Sequence, residues 1–312
     1  MASSSSDLKI SVILPVRDGA EYLGQQLTAL ASQEVQRPWE LVIIDDGSVD
    51  GSWHIVQEAA DQFPAVQLFQ NPHPRGKAFA LNAGSNAARA RTLAFVDQDD
   101  VVAPGYLLAM SKALEHHALV CGTVDLHALN ADWLARGLRH WPDPNSLTVT
   151  LWTDKQRQRG SDWQDLPTLQ RVDVPVASGC TLGIQRQLLR EAGLFRTDVG
   201  VCEDSELCIR LWSAGLRLHH VPEAVLHYRL RPDLPALARQ RYGYGHSWAA
   251  LFLSARTLGM RAPGIRRTAL DAASGLLATF STNRATRARG VARTAFLVGR
   301  LVGCIRYRVL YI

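Results

Sequence analysis

Five short apolar runs separated by helix-like stretches constrain this chain more than any other feature. The runs are 10–16, 41–44, 65–69, 93–96 and 119–124, and the stretches between them lie near 21–32, 52–62, 76–89 and 106–116. Runs of that length bounded by turn residues read as buried strands, and the intervening segments carry a helical period. Strands alternating with helices of this length are joined by right-handed crossovers, which predicts a mostly parallel sheet with helices on both faces. Such a sheet collects its functional groups at the carboxyl ends of its strands. Two of those ends are acidic, "VIIDDGS" at 42–48 and "AFVDQDD" at 94–100.

In "LAFVDQDDVV" the apolar residues lead into Asp97, Asp99 and Asp100. Successive strand side chains point to opposite faces, so Asp97 and Asp99 share a face or splay around the strand's end. Two ionised carboxylates that close repel by about 1–4 kcal/mol, a penalty that a divalent cation removes. Oxygen ligands suit Mg²⁺ or Mn²⁺, and Mg²⁺ is commonly held by one or two carboxylates, with water and substrate phosphates as the other ligands. Asp97 and Asp99 are therefore candidate metal ligands. Asp100, ahead of "VVAPGYLL", reads mostly as a cap for the next helix.

In "DDGSVDGS" Gly47 permits a tight turn, and Ser48, Asp50 and Ser52 suit a helix start. Capping does not require two acids in a row, and a carboxylate facing the crevice can accept hydrogen bonds from a nucleobase or a ribose. Asp45 and Asp46 are thus candidate nucleotide ligands. Arg75 and Lys77 flank Gly76 where a helix begins, a basic pair beside free backbone N–H groups, which makes an anion site if the side chains are not simply solvated. Farther on, "GVCEDSELCIRLWSAG" at 200–215 puts Glu203 and Asp204 at the start of a largely buried helix, where its dipole favours anions.

The stretches "ISVILPVRDGAEYLGQQLTALASQ", "ELVIIDDGSVDGS", "NPHPRGKAFALNAG", "AFVDQDD", "ASGCTLGIQRQLLREAGLF" and "CEDSELCIRLWSAG" occur in the order and rough spacing of the family 2 glycosyltransferases, which residues 10–230 resemble. The resemblance implies a GT-A fold and a metal-dependent, inverting transferase using a nucleotide-diphosphate sugar, UDP-linked by default. It also implies roles. Pro15 and Arg17 lie against the nucleotide, Asp46 reads the base, Asp97 and Asp99 form the DxD pair with Asp99 the direct metal ligand, and Asp204 is the catalytic base. His227 in "AVLHYRL" falls where some members supply a further metal or phosphate contact; a core or surface histidine is the competing reading. Chemistry gives Asp204 a separate rationale. Inversion is a single in-line displacement, so the acceptor hydroxyl loses its proton as it attacks, and a positioned carboxylate contributes typically about 10² to 10⁴ in rate. A sugar-phosphate nucleotidyltransferase would need a glycine-rich signature near the first strand, which "LPVRDGAEYL" lacks. The alternative from another class is a non-catalytic nucleotide-sugar-binding scaffold, against which the presence of Asp97, Asp99 and Asp204 together argues.

Composition bounds the rest. The 312 residues are 47% hydrophobic, and the five cysteines show neither a CxxC pair nor zinc-ligand spacing, so no disulfide framework or structural metal is expected. The Ser-rich start lacks an apolar signal region, and no run is long enough to span a bilayer. Net charge is +5, yet from Arg231 onward fourteen arginines meet only Asp233 and Asp271. The expected division is a catalytic domain over 1–230 and a basic, amphipathic helical region over 231–312, helical at 236–253 and 265–311 with a break at 259–264. On a helix, Val291, Ala295, Val298, Val302, Ile305 and Val309 share a face, which either packs on the catalytic lobe or lies on an anionic membrane surface. "RQRYGYGHSW" at 239–248 reads equally as an acceptor or diphosphate contact and as a helix-breaking turn. The segment 128–171, with Trp133, Trp141, Trp152 and Trp163, reads as an irregular excursion that shapes a cleft or plugs a surface lobe. The placement implied is cytoplasmic, at the inner face of the cytoplasmic membrane, with an acceptor hydroxyl that a lipid can carry, in cell-envelope, glycolipid or polysaccharide synthesis. No basic-aromatic interleaving of a nucleic-acid module is present.

Overall fold

Seven residues, Ile10–Val16, form β1, and every one is buried, as an apolar strand covered on both faces requires. The computed structural model describes residues 8–35, 38–138, 148–154 and 169–312, and at 152–154 and 169–170 their backbone. After β1 come α1 (Leu23–Ala31), β2 (Trp39–Asp45), α2 (Ser52–Ala59), β3 (Val66–Gln70), α3 (Lys77–Ala87) and β4 (Thr92–Phe95). Next are β5 (Val101–Val102), α4 (Tyr106–His116), β6 (Leu119–Asp125), α5 (Asp132–Leu138), β7 (Thr148–Asp154), β8 (Leu169–Pro175), β9 (Leu182–Gln185) and α6 (Arg186–Glu191). The chain continues through α7 (Glu203–Ser213), β10 (His219–His227), α8 (Leu234–Ala255), α9 (Ile265–Thr279) and α10 (Arg284–Tyr307). It divides into two compact units, Met1–Ala135 with Ala177–Thr197 and Leu216–Leu230, and Arg136–Val176 with Asp198–Gly215 and Arg231–Ile312.

The first unit holds an eight-stranded sheet in the order β3-β2-β1-β4-β9-β6-β10-β5. The pairs β1–β2, β1–β4, β2–β3 and β6–β10 are parallel, while β9 and β5 run antiparallel to their neighbours. This is the mostly parallel, helix-flanked architecture that the alternating pattern predicts. Leu23, Leu27 and Leu30 recur at helical spacing on α1, and with Tyr106, Leu107 and Met110 of α4 they bury Ile10, Val12, Leu14 and Val16 of β1. Each such side chain contributes roughly 1.5–3 kcal/mol relative to exposure. The chain leaves β1 toward β2 on one side and later returns to β4 on the other. The carboxyl ends of β1 and β4 therefore flank a topological switch point, where open α/β sheets bind their ligands.

In the second unit β7 pairs antiparallel with β8, so the excursion over 128–171 contains α5 and a two-stranded sheet. Trp141, Pro142, Pro144, Trp163 and Pro167 lie outside the described residues. The segment 239–248 is not a turn: it lies inside α8. Its Gly245 is explained by α10, whose backbone at Phe296 and Arg300 passes where a side chain would stand. Gly299 and Gly303 meet Tyr242 and His246 of α8 in the same way. The expected helix over 265–311 is broken at 280–283, and Asn283 caps α10 by accepting the Thr286 N–H at 3.0 Å. Because α10 packs on α8 through its small residues, Val298, Val302 and Ile305 of the shared apolar face are exposed, as is Leu301 beside them, while Val309 is buried.

Candidate active site

β1 ends at Val16, and Arg17 follows with its side chain exposed. Its backbone N–H donates to Gln98 Oε1 at 2.8 Å and its carbonyl accepts from Gln98 Nε2 at 2.7 Å, so the residue between Asp97 and Asp99 ties the ends of β1 and β4 together. Pro15 is buried and in register with Ile44 of β2. Gln26 lies on the buried face of α1. It donates to the Asp97 carbonyl at 3.0 Å and accepts the Val102 N–H at 3.1 Å, holding the acidic loop from below.

At the end of β2, Asp45 is fully buried. It accepts the Ser48 N–H at 3.2 Å, the Ser48 hydroxyl, and the Gln70 amide at 3.2 Å. Its carboxylate builds the turn. Asp46 takes Asn71 Nδ2 at 2.9 Å and the backbone N–H groups of Arg75, at 3.1 Å to either oxygen, and Gly76, at 2.7 Å. A carboxylate has about four acceptor sites, so most of its capacity organises the loop that leads into α3. That loop delivers Lys77 at the first turn of α3, where Gly76 has a φ of 101°. The Lys77 ammonium lies 2.6 Å from Asp97 Oδ1 and 2.8 Å from Oδ2.

Asp100 does not cap α4. β5 intervenes, and Gly105 precedes that helix. Instead Asp100 is buried, with Oδ1 accepting the Arg229 N–H at 2.9 Å and Oδ2 lacking a hydrogen-bond partner among the described residues. Burial first, then the charges of Asp99 and Asp97, raise its carboxyl well above the usual range. Arg229 also donates through Nε to the Asp99 carbonyl at 2.9 Å and through Nη2 to Gln25 at 2.6 Å, and its guanidinium lies 4.3 Å from the Tyr22 ring centre. Among the described residues, ligand atoms of Asp97, Asp100 and Cys180 converge within 4.8 Å of one another; Asp99 and His227 are not part of that group. Burial, then Asp100 and Asp97, push the Cys180 thiol up, which leaves the carboxylates as the hard donors. An orphaned buried carboxylate oxygen beside two further acids fits a divalent cation.

His227 ends β10, opposite Val101 of β5 and beside Asp125 of β6. Its Nδ1 is 2.8 Å from Asp125 Oδ2. Burial raises the Asp125 carboxyl, but the His127 N–H, the His227 ring and the Ala128 N–H outweigh it and hold the carboxyl below its usual value. A carboxylate on Nδ1 orients the ring and leaves Nε2 for a ligand.

In the second unit, Asp204 is half-buried in the first turn of α7 with Glu203 and Glu206, the helix start that the sequence pattern predicts. Asp204 Oδ1 accepts the Ser205 N–H at 2.5 Å. Glu206 is buried and ion-paired to Arg210 at 2.7 Å, so that acid is spent within the helix. Gln26, Arg229 and Cys180 escaped the sequence reading. Arg229 had a signal, two residues beyond His227; Gln26 and Cys180 had none apart from polarity among apolar neighbours.

A family model described as Glycosyl transferase family 2 matches residues 11–192, more than half of the chain. The uncharacterized glycosyltransferase YibD of Escherichia coli strain K12 is 30% identical over 176 residues, 56% of this chain and 43% of YibD. The chain therefore spans under half the length of that curated relative. Among solved structures, mannosyltransferase PcManGT from Pyrobaculum calidifontis, in complex with GDP-Man and Mn²⁺, has a TM-score of 0.59 at 20% identity, covering 96% of this chain and 89% of that one. TarS of S. aureus in complex with UDP-GlcNAc has a TM-score of 0.53 at 14% identity, with coverages of 98% and 93%. At those identities the likeness is one of fold, that of GT-A glycosyltransferases. With the family model running from β1 through the acidic ends of β2 and β4 to α6, the chain belongs to glycosyl transferase family 2.

Proposed function

We propose that the chain transfers a sugar, with inversion, from a nucleotide-diphosphate donor to an acceptor hydroxyl in a metal-dependent reaction. The observation that carries this proposal is the acidic cluster at the end of β4: Asp97 paired with Lys77, Asp99 beside it, and a buried Asp100 oxygen without a hydrogen-bond partner among the described residues. Asp99 and Asp97 are the proposed ligands of Mg²⁺ or Mn²⁺, with His227 as a further contact through Nε2. When bound, such an ion neutralises the charge that develops on the departing diphosphate.

The remaining roles fall to the chain's own side chains. Lys77 turns from Asp97 toward a donor phosphate, as an ammonium at a helix start suits an anion. Pro15 and Arg17 lie against the nucleotide, Asp46 meets the base at the mouth of its loop, and Asp45 supports both by holding the turn. Asp204 takes the proton of the acceptor hydroxyl. Residues 1–230 are assigned to this chemistry and residues 231–312 to contact with a partner. The donor is a UDP-sugar by default; PcManGT binds GDP-Man and TarS binds UDP-GlcNAc, so guanosine donors belong in the same screen. The acceptor is assigned to cell-envelope, glycolipid or polysaccharide synthesis at the inner face of the cytoplasmic membrane.

The test is Asp204→Asn, assayed for donor binding by calorimetry and for release of nucleoside diphosphate. Binding is expected to stay within about twofold while turnover falls by about 10² to 10⁴. Near-normal turnover would remove Asp204 from the base role.

A further inference from the structure

Most of the large apolar side chains that stand exposed among the described residues fall after residue 252. On α9, Ile265, Leu270, Leu276 and Leu277 are exposed, and Phe280 follows at 80% exposure. At about 100° per residue, the four leucine and isoleucine positions span an arc of about 140°. Thr268 and Gly275 lie on the far side. Gly275 packs against Arg293 and Thr294 of α10, and Thr268 accepts from Arg300 at 2.9 Å. The apolar arc is therefore the face turned away from the neighbouring helix. On α10, Val298, Leu301, Val302 and Ile305 are spaced i, i+3, i+4, i+7 and are also exposed, so the second unit turns two apolar helix faces outward.

Charge identifies what covers them. Residues 253–312 contain eleven arginines and one acid, Asp271, and Asp271 already lies 3.6 Å from Arg267. Arg261, Arg266, Arg267 and Arg284 are exposed around α9. A second copy docking through the same face would set arginine against arginine. Acidic lipid headgroups over an acyl boundary complement both features at once. Among the described residues no helix is long and apolar enough to cross a membrane, which leaves an in-plane contact.

We propose that α9 docks the chain on an anionic bilayer surface, with Leu276, Leu277 and Phe280 entering the headgroup–acyl boundary and the surrounding arginines pairing with lipid phosphates. This contact is independent of the transfer reaction, and its test needs neither donor nor metal. The full chain is co-sedimented with phosphatidylcholine vesicles with and without phosphatidylglycerol. Binding is expected to be about tenfold or more tighter with the anionic lipid. Leu277→Glu combined with Phe280→Glu weakens it by about tenfold or more, and Arg266→Gln with Arg267→Gln by about fivefold per charge, with the thermal midpoint unchanged in both. Absence of sedimentation with anionic vesicles overturns the proposal, as does binding that neither pair alters. A homodimer in sedimentation velocity that Leu277→Glu dissociates, with no vesicle binding, assigns the face to a second copy and overturns it as well.

Discussion

Gln98 exchanges two hydrogen bonds with the backbone of Arg17, at 2.8 and 2.7 Å, and so sets the spacing between the acids around it and the end of β1. A side chain at Gly19 would collide with the same amide, so the β1–α1 loop is shaped to admit it. Gln98→Ala returns both Arg17 groups to water and is expected to cost about 1–3 kcal/mol of stability. Donor affinity should fall by about tenfold, because misplacing binding groups by an ångström is enough to weaken a preorganised site. Calorimetry with the nucleotide sugar and Mn²⁺ reads the second effect, and unchanged affinity would free the acidic loop from dependence on β1.

Glu40 supplies a pH dependence with a defined sign. It is fully buried on β2, accepting Ser11 Oγ, the Arg89 N–H and Arg89 Nε at 2.6 Å each and Gln67 Nε2 at 2.9 Å. Burial raises its carboxyl, but these donors outweigh burial and leave it below the usual glutamate value of 4.5. Its stabilisation is therefore fully present above pH 4.5 and is lost as the pH falls through the lowered folded value. Glu40→Gln is expected to cost about 1–3 kcal/mol near neutrality and to flatten the acid limb of stability. Urea midpoints across pH check it; an acid limb identical to that of the unaltered chain would contradict it.

Glycines in the second unit separate packing from propensity. Gly299→Val presses a side chain into the Tyr242 backbone of α8 and is expected to destabilise by about 1–3 kcal/mol or more. Gly243, also in α8, has no atom of the described residues within 4 Å of an added Cβ, so Gly243→Ala should stabilise by up to about 1 kcal/mol. Thermal unfolding of both variants gives the contrast, and equal effects would remove the close helix contact.

These elements also mark how far the sequence could be read. β1 is legible because seven consecutive buried residues leave a run that is apolar apart from Ser11, and α4 because its buried positions keep a helical spacing. α10 is not legible in the same way. Its contact with α8 runs through Gly299 and Gly303, which carry no hydrophobic signal, so ranking positions by side-chain size selects the face that points outward. The acids of the candidate site stand out as charges ending apolar runs. The contact of Arg229 with Asp99 and Asp100 joins positions far apart in sequence, and nothing local encodes it. Asp100 reads as a cap for a related reason: a cap depends on the following residues, and the two-residue β5 is too short to leave a pattern.

The central claim is that a divalent cation and a nucleotide diphosphate bind together among the acids at the end of β4. Thermal shift of the unaltered chain and of Asp99→Ala, titrated with UDP- and GDP-sugars in Mn²⁺ or in chelator, tests it most directly. At about 100-fold saturation one donor should stabilise the unaltered chain by about 2.7 kcal/mol in Mn²⁺, raising the midpoint by several degrees, with no shift in chelator and none in Asp99→Ala. A donor that stabilises both chains equally, or that does so without the metal, would contradict the claim.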